Sequence, residues 1–107
     1  MNPLTYKEWV DLYVKMVSWE MEFDQHPGLG LQQMLSDQRR ECNAEFSKFI
    51  EQKYPVWLHQ KDDRPPLSVD VVDKFVIPQL KEGTSVFFFV IDCMRLDQWL
   101  VMEQYLQ

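Results

Sequence analysis

The chain has 107 residues, of which 46% are hydrophobic and 14% aromatic, with a formal net charge of −6. That length allows at most one ordinary domain, and so high an apolar and aromatic share argues against disorder. The acidic balance, with no basic stripe, argues against phosphate-backbone binding, so no nucleic-acid partner is expected.

Cys42 and Cys93 lie far apart in sequence, in apolar or helical surroundings. Two free thiols in a reduced, cytoplasmic setting is the expectation. No N-terminal stretch has the form of a signal peptide. The longest apolar run, Val86 to Ile91, is far short of the ~20 residues that cross a bilayer, so no membrane partner is expected.

In chain order, Thr5-Tyr6-Lys7-Glu8 has the form of a capping box, in which a hydroxyl and an acid satisfy free amides reciprocally. Trp9, Leu12, Tyr13, Met16, Trp19 and Phe23 then recur at three- and four-residue steps. They predict one helix from Thr5 to Asp24, with its aromatics in helix contacts. His26-Pro27-Gly28-Leu29-Gly30 predicts a turn. A second helix, from Leu31 to Lys53, is expected to bury Met34, Leu35, Gln38, Cys42, Phe46, Phe49 and Ile50, antiparallel to the first. Pro55 is expected to break its regular winding, because the residue before proline is pushed out of helical geometry, with room for one more helical turn after it.

Gln60 to Pro66 reads as a polar linker. Ser68 is the expected cap of a third helix carrying Val69, Val72, Phe75, Val76 and Leu80 on its apolar face. Pro78 should kink that helix and Gly83 close it. A strand from Ser85 to Ile91 and a last helix from Arg95 to Tyr105 complete the reading. The expected fold is mainly α: a three-helix bundle over residues 1–84, then one β-strand and a C-terminal helix over 85–107, the truncated start of an α/β domain.

The stretch Val86-Phe87-Phe88-Phe89-Val90-Ile91-Asp92 is an apolar run that ends abruptly in an acid. A buried strand of this kind delivers one carboxylate to the carboxyl edge of a sheet, where α/β proteins place ligands and metals. Such a carboxylate suits zinc, manganese or magnesium. The plainer reading is a cap: Asp92 on the free amides of Met94 or Arg95. Cys93 has no second Cys or His at ligand spacing and is expected to be a small buried apolar residue. His26 and His59 read as helix-end histidines.

The form Ile91-Asp92-Cys93-Met94-Arg95-Leu96-Asp97-Gln98-Trp99 resembles the opening motif of PglZ domains, members of the alkaline phosphatase superfamily. Upstream, Glu8-Trp9-Val10, Trp19-Glu20-Met21-Glu22 and Glu45-Phe46-Ser47-Lys48-Phe49-Ile50 look like the helical segment that precedes the PglZ domain in PorX-type response regulators. Those proteins join a receiver domain, a three-helix bundle and a PglZ domain. The resemblance implies a two-zinc phosphoesterase in the parent protein, with Asp92 a metal ligand and Arg95, Asp97, Gln98 and Trp99 part of the same signature without assigned roles. It also implies a receiver domain before Met1 and further metal ligands after Gln107.

No Ser or Thr follows Asp92, so no candidate nucleophile is present and the chain by itself is expected to be inactive, without a cofactor. Phe87, Phe88 and Phe89 would be left uncovered, and the chain is expected to form a homodimer through residues 85–107. Three functions fit these features. The first is a linker and dimerisation module coupling a receiver to a phosphoesterase. The second is a stand-alone helical adaptor binding a protein partner. The third is a phosphoesterase completed by ligands from a second chain.

Overall fold

A computed structural model of the chain describes residues 2–26 and 30–107. Helix α1 spans Tyr6–Gln25, and the predicted capping box starts it. The Glu8 N–H donates to Thr5 Oγ1 at 3.3 Å, and the Thr5 N–H donates to Glu8 Oε2 at 2.7 Å. The backbone bond from Thr5, then the bond from its hydroxyl, holds the Glu8 carboxyl below its ordinary value of 4.5. A carboxyl depressed in the folded state stabilises fully above its unfolded pKa, and that contribution disappears as pH falls through the folded value. We therefore expect the start of α1 to fray on acidification below 4.5. Thr5→Ala should cost about 1 kcal/mol, read as a lower urea midpoint by circular dichroism. An unchanged midpoint would show that the box adds nothing.

Helix α2 spans Gln32–His59 and, against expectation, runs through Pro55 without ending. The proline costs about 3 kcal/mol of helix. What offsets it lies two residues on, where Trp57 is one of the most buried side chains in the chain, at 7% exposure. Its ring packs edge-on against Tyr6 of α1 at 6.1 Å and against Phe49 at 5.7 Å between centroids. Its carbonyl accepts a hydrogen bond from Arg64 Nη1. The Gln60 N–H closes the helix on the Val56 carbonyl at 2.9 Å.

The pairing is antiparallel, as predicted. Tyr6 meets Trp57, Trp9 meets Phe46 and Phe49 at 5.4 and 6.1 Å, and Glu20 meets Arg39, whose Nη1 reaches both carboxylate oxygens at 2.8 and 2.9 Å. The turn predicted between the helices falls largely on residues 27–29, outside the described residues. Met16, Val17 and Leu35 join Trp57 as the buried apolar residues. Met34, Phe46 and Trp19, expected on covered faces, are partly exposed. The contact between two helices is a narrow stripe, and residues at its margin stay wet.

The described residues form two compact units, one of 1–64 with 95–107 and one of 65–94. In the first, helix α4 (Leu96–Glu103; α3, Ile77–Lys81, lies in the second unit) packs against α1, as α2 does. The helix-rich architecture expected from the sequence is present. Within this unit α1 has both α2 and α4 as packing neighbours, and the stretch predicted as a helix from Ser68 to Gly83 lies in the second unit.

That predicted helix is replaced by three short pieces in the second unit. A 3₁₀ turn covers Ser68–Asp70, a π-helical turn covers Val72–Val76, and α3 covers Ile77–Lys81. Leu67 rather than Ser68 holds the cap position; its N–H donates to Asp70 Oδ2 at 2.9 Å. Pro78 explains the π turn. It has no N–H for an i−4 carbonyl and its ring crowds that carbonyl, so the winding before it widens and the Ile77 N–H reaches back to the Val72 carbonyl. Gly83, at φ +79°, closes α3 as predicted. Its N–H donates to Leu80 and that of Thr84 to Gln79, the Schellman pattern that needs a left-handed residue.

The strand expected over residues 85–91 is not formed: no strand occurs among the described residues. A strand is defined by a neighbour that takes its backbone groups, and this segment has none here. No residue of the second unit is buried. Among the described residues no helix is long and apolar enough to cross a membrane.

Candidate functional site

The candidate site runs from Phe87 to Trp99 and is divided between the two units at Met94 and Arg95, so each side stands on its own geometry. On the first side Phe87, Phe88 and Phe89 are exposed, Phe87 at 84% and Phe89 at 79%. Both of the alternating faces that a strand would present are therefore apolar and uncovered. Asp92 is exposed at the turn that follows. Its Oδ1 accepts the Cys93 N–H at 2.9 Å, not those of Met94 or Arg95, so the predicted cap on α4 is not made.

Cys93 is exposed rather than buried, and its φ of +58° is left-handed. It sits where an uncovered segment reverses, with nothing packed over it. The sequence carried no signal for this conformation, since cysteine is not a residue that favours it.

On the second side the N-cap of α4 is Arg95. Its N–H donates to Gln98 Oε1 at 3.0 Å, which gives Gln98 a role in starting the helix. The Arg95 guanidinium forks onto Asp97, Nε to Oδ1 at 3.0 Å and Nη2 to Oδ2 at 3.3 Å. Asp97 Oδ1 also accepts the Gln98 N–H at 2.9 Å. The bond from Arg95, then the backbone bond from Gln98, draws the Asp97 carboxyl below its ordinary value, and Asp97 in turn raises Arg95. Three of the four signature residues thus lock one helix start together. Trp99 is partly exposed on the same helix, one residue after Gln98.

Zinc takes three or four protein ligands per site. Among the described residues no three His, Cys, Asp or Glu side chains gather closely enough to hold a metal ion. Asp92 offers a single carboxylate, so the two zinc ions implied by the resemblance do not fit the residues of this chain taken alone. His26 and His59 are exposed at the ends of α1 and α2.

No curated protein matches the chain. A protein family does match: the PorX response regulator linker domain, over residues 1–58. The matched part is the α1–α2 hairpin with the Tyr6, Trp9, Phe49 and Trp57 aromatic contacts that hold it together, and it makes up more than half of the sequence. The chain belongs to the PorX response regulator linker domain family.

Proposed function

We propose that this chain is the linker module of a response regulator and couples a receiver domain to a metal-dependent phosphoesterase domain of the PglZ type. Residues 85–107 are the start of that second domain. One observation carries the coupling. Helix α4, which bears the signature residues Asp97, Gln98 and Trp99, packs against α1 of the linker hairpin. A helix shared in this way gives a change at α1 a direct mechanical route to the start of the catalytic segment. In this reading Asp92 is one metal ligand of a site completed by later segments, zinc is the metal, and the protein works in the cytoplasm. The chain alone catalyses nothing.

The test uses a protein that carries receiver, linker and phosphoesterase. Beryllium fluoride, which mimics the phosphorylated receiver, is expected to change its phosphodiesterase rate. Val17→Ala loosens the buried seam of the linker. It is expected to remove most of that response while the basal rate stays within about twofold, a change worth only ~0.4 kcal/mol. A full response in a folded Val17→Ala protein would sink the coupling.

A second reading, self-association through residues 85–107, is favoured by the exposure of Phe87, Phe88 and Phe89. Unpaired apolar segments of this kind seek strand partners. Light scattering at micromolar concentration should then give about twice the single-chain mass, and Phe88→Lys should return it to one chain. A single-chain mass for the unaltered protein would dismiss the dimer.

A further inference from the structure

We draw no further inference here: the strongest candidate, the uncovered apolar flank of α1 at Val10, Tyr13 and Val14, carries none because nothing in the structure shows what covers it, and the exposed segment at residues 87–91 belongs to the site already described.

Discussion

Trp57→Ala is expected to cost about 3–5 kcal/mol, the range for removing a buried tryptophan, and so to unfold much of the helical hairpin. Two effects combine at this position. The indole touches Tyr6 and Phe49, which ties the start of α1 to the end of α2. It also offsets the proline two residues before it. Without the indole, the last turns of α2 keep the full penalty of Pro55 and lose what opposes it. A marginally stable domain has about 5–15 kcal/mol in total, so this single truncation removes a large share. Urea unfolding followed by far-ultraviolet circular dichroism checks it. A double variant adding Pro55→Ala should recover part of the loss, because the two positions are coupled through one helix end. A Trp57→Ala midpoint equal to that of the parent would refute the role given to the indole.

Asp92→Asn separates folding from function. In the chain of 107 residues the side chain is exposed and makes one local bond, to the Cys93 N–H, which an asparagine oxygen can also accept. The melting curve should therefore be unchanged. On the proposed reading, the same substitution in a protein that carries the whole phosphoesterase domain removes a charged metal ligand. Metal-ion catalysis contributes several kcal/mol to such reactions, so activity should fall by about 100-fold or more. Zinc retained after dialysis should fall with it. Activity within a few-fold of the parent, with zinc still bound, would remove Asp92 from the metal site. Asp97→Asn is the informative companion. It weakens the fork that starts α4, so the loss there should appear in helix content as well as in rate.

Local chemistry made much of this fold legible. The Thr5/Glu8 box and the aromatic steps after it placed α1 within a residue of its observed span, because both signals act within one helix. Gly83 was legible for the same reason. The end of α2 was not. A rule about the residue before proline is a local preference, and the burial of Trp57 across the hairpin outweighs it. The helix predicted from Ser68 dissolved into 3₁₀, π and α turns, because the periodicity of Val69, Val72, Phe75 and Val76 asks for a covering surface. These residues are not buried, and Pro78 disturbs the winding besides. The expected strand depended on a neighbour that a single sequence segment cannot supply. At the candidate site the sequence singled out the acid and the signature. It did not foresee that Arg95, Asp97 and Gln98 would bond chiefly to one another, since side-chain forks across two or three residues have no periodic trace.

The continuity of α2 through Pro55 has a mechanical consequence. Its 28 residues form one lever of about 42 Å, at 1.5 Å of rise per residue. Had the helix ended at the proline, motion imposed near Gln32 would dissipate in a flexible joint before reaching the aromatic contacts at Tyr6 and Trp57. With the winding unbroken, a tilt of about 5° at one end sweeps the other through about 4 Å, roughly two-thirds of the rise of one helical turn. A small tilt imposed near Gln32 would thus reach the Trp57 end of α2 as a shift large enough to change which side chains meet.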